Sequence, residues 1–192
     1  KDEKRRQSIP DEVKRFREVT GFDIDCGIEN DMLVIKSHGE SAHVSLPYLG
    51  KNAIMQLILF LNVIYQQDDD VKKFIDFFAK NVGLETNGKT FGVNLKDDTG
   101  ELSFNVGTIN LNEEKGTIGL NIRYPVTFKY EDLMNPFNEK IGEYGMRVEN
   151  MMHQPPLYFP KDHFLIKTLM KVYEDVTGRK DEPLSIGGGT YA

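Results

Sequence analysis

The spacing of hydrophobic and polar residues divides the chain into short strands and amphipathic helices. Alternating runs predict strands, and apolar residues three and four positions apart predict helices. The predicted strands cover residues 22–26, 32–36, 101–111, 116–124 and 147–152, and the predicted helices cover 11–19, 52–65, 71–81, 131–144 and 162–177. Pro136 is expected to kink or delay the fourth helix. The helix at 52–65 is apolar on nearly every face, which is typical of a helix enclosed in a core.

The order of these elements predicts the fold class. Neighbouring strands are joined by short polar turns, which indicates antiparallel pairing. We therefore expect an α+β fold, an antiparallel sheet with helices on one face, compatible with a ferredoxin-like split βαβ unit. Pro155, Pro156 and Pro160 resemble a linker, so the expected division is 1–154 for this layer and 155–192 for a second unit.

Composition narrows the function classes. The chain has 192 residues, 39% of them hydrophobic and 28% charged, with a formal net charge of −6. These values describe a globular protein and argue against a broad nucleic-acid surface, which requires clustered positive charge. Cys26 is the only cysteine, so no internal disulfide forms and a reducing cytoplasm is expected. No apolar run reaches the roughly 20 residues of a spanning helix. The first residue, Lys1, and the abrupt end predict a piece of a longer protein.

His43 is the first candidate functional residue. It lies in a Ser-Ala-His-Val-Ser loop between a strand end and the apolar helix, and loops held by rigid elements commonly carry functional groups. The alternative without a functional role is an ordinary surface or helix-capping histidine. His38 lies at an odd spacing from His43, which disfavours a metal pair. His153 and His163 are expected to be surface or cap residues.

Arg123 and a glycine segment are the other candidates. Arg123 alternates with Leu120, Ile122 and Tyr124 and should therefore lie on the opposite face of the sheet. The alternative without a functional role is an exposed cation paired with a neighbouring acid. Gly187, Gly188 and Gly189 would allow a ligand to approach the backbone closely, or would simply form a flexible turn. They do not match a phosphate loop. A metal centre needs several clustered His, Asp and Glu ligands, and the four histidines show no such grouping.

The segment 39–53, with Ala-His, a loop containing Pro and Gly, and then Asn-Ala, resembles the lid, or dimerisation, domain of a metallopeptidase family. That family includes aminoacylase, carboxypeptidase G, succinyl-diaminopimelate desuccinylase and dipeptidase V. The Asn-Ile-Arg-Tyr-Pro strand and the Gly-Gly-Gly-Thr-Tyr-Ala end resemble the dipeptidase V group in particular.

The resemblance implies specific roles. His43 would hydrogen-bond the scissile carbonyl oxygen, Arg123 would bind the C-terminal carboxylate of a dipeptide, and the backbone of Gly187–Gly189 would contact the substrate. Two divalent metal ions, zinc or manganese, would be held by sequence outside this chain, so the chain alone should be inactive. Residues 1–154 would form the lid, and 155–192 would belong to the catalytic domain.

Two other interpretations stay open. A non-enzymatic ferredoxin-like module could bind an amino acid or mediate dimerisation, because one fold hosts many functions. An amidohydrolase or deacylase of the same family is the second, and the Arg123 carboxylate site weighs against it. Members of the family differ in whether they form homodimers through the lid. The insertion 71–100 would be part of the enlarged lid of the dipeptidase V group.

Overall fold

The computed structural model describes residues 3–112 and 114–185. The helices are α1 (Glu3–Thr20), α2 (Ala53–Ile64), α3 (Asp70–Asn81), α4 (Tyr130–Gly142) and α5 (Phe164–Thr177). The strands are β1 (Ile24–Glu29), β2 (Met32–Ser37), β3 (Lys96–Asp97), β4 (Gly100–Glu101), β5 (Ser103–Leu111) and β6 (Gly116–Arg123). A 3₁₀ turn, Pro47–Leu49, precedes α2.

Within these residues, all strand pairing is antiparallel and occurs in three two-stranded sheets, β1–β2, β3–β4 and β5–β6. The β1–β2 hairpin turns at Asn30 and Asp31, which both have positive φ, as a two-residue hairpin turn matching the strand twist requires. The α+β class and the antiparallel pairing are therefore confirmed. The single ferredoxin-like sheet stays a prediction, because the described hairpins are not joined into one sheet.

The β5–β6 hairpin presents its apolar residues on one face. Phe104 pairs with Ile122, and Val106 pairs with Leu120. These four residues belong to, or pack against, the larger hydrophobic cluster. The pairing then passes from Val106–Leu120 to Thr108–Gly119 and omits Gly107, which is a β-bulge.

Helix α2 lies between two hydrophobic clusters, as its apolar sequence predicts. Met55 and Ile58 belong to the larger cluster, with α3, α4 and β5. Phe60 and Ile64 belong to a smaller cluster formed with α1 and β1. Leu61 packs against both clusters. The helix therefore connects the N-terminal layer to the rest of the molecule.

Two sequence predictions about element boundaries are wrong. Helix α1 begins at Glu3 rather than after Pro10, and Pro10 lies inside the helix. In the same part of the helix, Arg5 forms an ion pair with Glu12 and donates a hydrogen bond to the carbonyl of Ile64. Helix α4 begins at Tyr130, so Pro136 does not delay its start; the kink at Pro136 stays a prediction.

Residues 147–152 do not form the predicted strand. Within the described residues the segment pairs with no strand, and Met152 is 98% exposed and Val148 36% exposed. Side chains hold the segment instead. Glu149 pairs with Lys115 at 2.7 Å, and the Tyr130 hydroxyl lies 2.6 Å from the Met151 sulfur.

The described part of the segment 155–185 contains no buried residue. The apolar residues of α5 are largely exposed, including Phe164, Leu169, Val172 and Val176. The ion pairs of this segment, such as Lys161–Glu182, join residues within the segment. In the described ranges, no helix has the length and apolar character needed to cross a membrane.

Candidate functional site

The loop that carries His43 is closed at its base by a short antiparallel bridge. The backbone N–H groups of Glu40 and Lys51 each donate to the other residue's carbonyl, at 3.0 and 2.9 Å, and their side chains form an ion pair. Gly39 and Gly50 flank this bridge, and a Cβ at either position would collide with the carbonyl oxygen of Lys51 or Glu40 respectively. Glycine at both positions therefore allows the two arms of the loop to meet.

His43 lies at a turn within this loop and is exposed. Its carbonyl accepts a hydrogen bond from the N–H of Leu46 at 2.8 Å. On the imidazole, Nδ1 accepts the backbone N–H of Ser45 at 3.3 Å and lies 2.7 Å from the Ser45 hydroxyl. A backbone N–H can only donate, so Nδ1 carries no proton in this arrangement. Neutral His43 therefore holds its proton on Nε2 and can donate a hydrogen bond from the outer side of the ring.

Asn52 joins the His43 loop to the sheet. It is the N-cap of α2, and its side-chain oxygen accepts the N–H of Met55 at 3.1 Å. Its Nδ2 donates to the Val106 carbonyl at 2.8 Å and to the Asn105 side chain at 3.2 Å. One side chain thus fixes the end of the loop, the start of α2 and the middle of β5. The sequence indicated a helix start here, but the contacts with β5 carried no recognisable signal.

Arg123 is the last residue of β6 and pairs with Ser103 of β5. It lies on the face opposite Ile122, as alternation predicts, and its side chain is half-buried. The next residue, Tyr124, lies with its hydroxyl 2.8 Å from His153 Nε2. Burial, together with the negative charge of Glu131, raises the pKa of Tyr124 above its ordinary value, so the phenol stays protonated. His153 thus contacts the strand end that carries Arg123.

Asp97 is a residue whose wider role the sequence did not reveal. Its Oδ1 accepts the N–H and the hydroxyl of Thr99, both at 2.6 Å. Its Oδ2 accepts the N–H and the hydroxyl of Thr127, at 3.2 and 2.7 Å. Burial opposes ionisation, but these four hydrogen bonds outweigh it and lower the pKa to about 2. The Asp-Asp-Thr-Gly sequence at 97–100 predicts a turn, whereas the partner at 127 is visible only in the fold.

Among the described residues, His43 and Arg123 do not share the cavity that lies next to the His43 loop. A cavity of about 580 Å³ lies beneath the loop base, between α2 and β5, and neither residue lines it. His38, the neighbour of His43, pairs with Asp25 at 2.8 Å. His163 is the N-cap of α5, which agrees with the prediction of a cap residue.

Metal ligands and the glycine segment are the remaining parts of the predicted site. Among residues 3–112 and 114–185, no three His, Cys, Asp or Glu side chains cluster in a way that could hold a metal ion. The residues described here therefore do not fit the metal pair that the resemblance implies. Gly187, Gly188 and Gly189 lie outside the described residues.

The α+β layer with its closed His43 loop corresponds to a known class of domain. Residues 31–145, more than half of the chain, match the family described as the peptidase dimerisation domain of the M20 group. The chain belongs to this family. The match covers the loop, α2, both residues of the Arg123–Ser103 pair and the Asp97 hairpin.

Relatives with similar sequences come from bacteria. The chain is 37% identical over 170 residues to the protein named "Putative dipeptidase YtjP" of Bacillus subtilis (strain 168), covering 88% of the chain and 36% of that protein. It is 34% identical over 167 residues to a "Putative dipeptidase" of Staphylococcus epidermidis, covering 86% of the chain and 35% of that protein. A Staphylococcus aureus (strain MRSA252) relative of the same description is 32% identical over 179 residues, covering 92% and 38%. The chain thus spans little more than a third of these relatives.

Proposed function

We propose that this chain is the lid of a metal-dependent dipeptidase, in which His43 donates a hydrogen bond from Nε2 to the scissile carbonyl. The observation that carries the proposal is the engagement of Nδ1 by Ser45, which leaves Nε2 as the nitrogen that carries the proton of the neutral ring. A fixed donor aimed at an oxygen that gains negative charge stabilises the transition state more than the ground state. The names of the relatives supply the substrate class.

Arg123 is the proposed site for the C-terminal carboxylate of the substrate. A guanidinium group engages both carboxylate oxygens at once, which gives orientation as well as charge neutralisation. The position at the end of β6, half-buried, limits the number of orientations available to the side chain. The backbone of Gly187–Gly189 is proposed to contact the substrate as well.

The metal ions, zinc or manganese, are proposed to be held by polypeptide outside this chain, because the described residues do not fit them. When bound, they would supply an activated water as the nucleophile. Residues 155–192 are proposed to belong to that catalytic domain. The exposed apolar face of α5 supports this, since helices of this kind are stabilised by burial of that face.

The proposal is tested in the full-length protein that contains this chain, assayed for dipeptide hydrolysis with added zinc or manganese. The His43→Ala variant should lose on the order of 10²–10³-fold in kcat, the effect of removing one donor to a developing oxyanion. Bound metal, measured by elemental analysis, should be unchanged. His38→Ala is the matched control and should retain full turnover. Unchanged turnover in His43→Ala would exclude the assigned role.

Homodimer formation through this domain is proposed as a second property, favoured by the family's description as a dimerisation domain. Light scattering on the full-length protein measures it directly. A mass equal to one polypeptide at micromolar concentration would contradict self-association and leave the catalytic role unaffected.

A further inference from the structure

The end of β6 needs support if Arg123 is to hold a fixed position. Arg123 is the last residue of the strand, and its pair with Ser103 is the last pair of the β5–β6 ladder at that end. Terminal pairs of a two-stranded ladder open more readily than central ones, because they are held from one side only. A side chain at such a position moves with the strand end unless another contact holds it.

Asp97 supplies that second contact. The chain runs from Asp97 through the β3–β4 turn into β5, where Ser103 pairs with Arg123. From Arg123 it continues through 124–126 to Thr127, which bonds back to Asp97 through its N–H and hydroxyl. The ladder pair and the Asp97–Thr127 contact therefore close one continuous ring of backbone that contains Arg123.

Hydrogen bonds between the ring and the residues next to it restrict it further. The N–H of Leu102 donates to the Leu95 carbonyl at 2.8 Å, which fixes the entry into β5. Pro125 is buried, and its carbonyl accepts the N–H of Phe128 at 3.2 Å. Because Thr99 also donates twice to Asp97, both oxygens of the carboxylate are engaged and its orientation is fixed. The ring is thus held at its two connections and along its connecting segments.

We propose that Asp97 is a positioning residue for Arg123, holding the strand end so that the guanidinium meets the substrate carboxylate in bidentate geometry. This inference rests on the proposed role of Arg123. A bidentate pair requires both N–H···O contacts to align at once, so a small displacement of the strand end weakens it. Asp97 itself touches no substrate in this scheme and acts only through the backbone ring.

The test uses the full-length protein and two substrates, a dipeptide and the same dipeptide with a C-terminal amide. Asp97→Asn replaces one acceptor oxygen with an amide nitrogen, so the side chain can no longer accept from Thr99 and Thr127 at once. We expect its KM for the dipeptide to rise about tenfold with kcat nearly unchanged, the pattern for loss of uniform substrate binding. The amide substrate lacks the carboxylate, so its kcat/KM should be the same in the variant and the parent.

Three further variants complete the experiment. Asp98→Asn changes the adjacent exposed carboxylate and should leave the KM and kcat for both substrates unchanged. Thr127→Val removes the hydroxyl donor and should raise KM for the dipeptide, as Asp97→Asn does. Thr127→Ser keeps the hydroxyl and should have the KM of the parent protein. Circular dichroism shows whether Asp97→Asn folds. If it does not, the comparison of Thr127→Val with Thr127→Ser tests the positioning role instead.

The outcomes separate this inference from the function on which it rests. If Arg123→Lys raises KM for the dipeptide while Asp97→Asn and Thr127→Val do not, the positioning role is wrong and the carboxylate site stands. If Arg123→Lys has no effect on that KM, the carboxylate site itself is wrong. An equal loss with both substrates in the Asp97 and Thr127 variants would show general structural damage and would also overturn the positioning role.

Discussion

At the scale of single residues, two side chains are defined by what donates to them. Nδ1 of His43 accepts from Ser45, so the proton of the neutral ring lies on Nε2. Asp97 accepts four hydrogen bonds from two threonines. The first arrangement was within reach of the sequence, because Ser45 lies two residues from His43. The second was not, since thirty residues separate Asp97 from Thr127 and only the fold brings them together.

The depressed pKa of Asp97 predicts a pH-dependent contribution to stability. The folded-state pKa of about 2 lies below the unperturbed value of 3.8, so the unfolded state takes up the proton first as pH falls. The contribution is therefore fully present above pH 3.8 and is lost as pH falls toward 2. In urea unfolding of this chain, the gap in midpoint between the parent and Asp97→Asn should be widest above about pH 4 and should shrink toward pH 2.

Asp98→Asn is the control for this measurement, because the two variants lose the same formal charge. The urea midpoint of Asp98→Asn should equal that of the parent protein across the same pH range. A gap between the parent and Asp97→Asn that stays constant from pH 5 to pH 2 would contradict the assigned pKa.

At the scale of elements, local signals predicted each of the five described helices but placed the start of α1 after Pro10 instead of at Glu3. Asp69 accepts the N–H of Lys72 as the N-cap of α3, and α2 is buried on opposite faces as its apolar sequence predicts. Helices depend on contacts within a few residues, so the pattern contains most of the information. The strand predicted at 147–152 failed because a strand also needs a partner edge, and its side chains contact Lys115 and Tyr130 instead.

Asn52 is where the elements of the candidate site meet, and its removal should be costly. Asn52→Ala deletes the N-cap of α2 and leaves the Val106 carbonyl without that donor. We expect a loss of about 2 kcal/mol in the free energy of unfolding, the sum of a cap and a partly buried hydrogen bond. Urea denaturation followed by circular dichroism measures it. Asn138→Ala, at an exposed position inside α4, should be neutral or slightly stabilising. Equal stability of the two variants would show that Asn52 has no such joining role.

At the scale of the whole molecule, two regions differ in how they are held. The residues of α2, α3, α4 and β5 supply a continuous core, whereas the described part of 155–185 buries none of its side chains. The sequence placed a boundary at 154 from its prolines alone. It could not show how the hairpins associate, because pairing between distant strands depends on the whole set of contacts.

The boundary at 154 predicts the effect of a truncation. A chain that ends at residue 154 should have the same urea midpoint as the 192-residue chain, because the removed part contributes no buried side chain in the described residues. Circular dichroism should lose helical signal corresponding to α5 alone. A clear fall in the midpoint would show that 155–192 stabilises the first unit and would contradict the division.

The bulge at Gly107 has a consequence for how the length of this hairpin can vary. Without Gly107, residues 104–111 would read Phe-Asn-Val-Thr-Ile-Asn-Leu, a strict alternation whose partners on β6 are those already observed. Deleting this one residue should therefore leave every apolar side chain on its present face. Deleting Gly119 from β6 would instead move the side chains of one half of that strand to the opposite face of the sheet. Insertions and deletions among homologous sequences should accordingly be found on the β5 side of the hairpin and be absent from the β6 side.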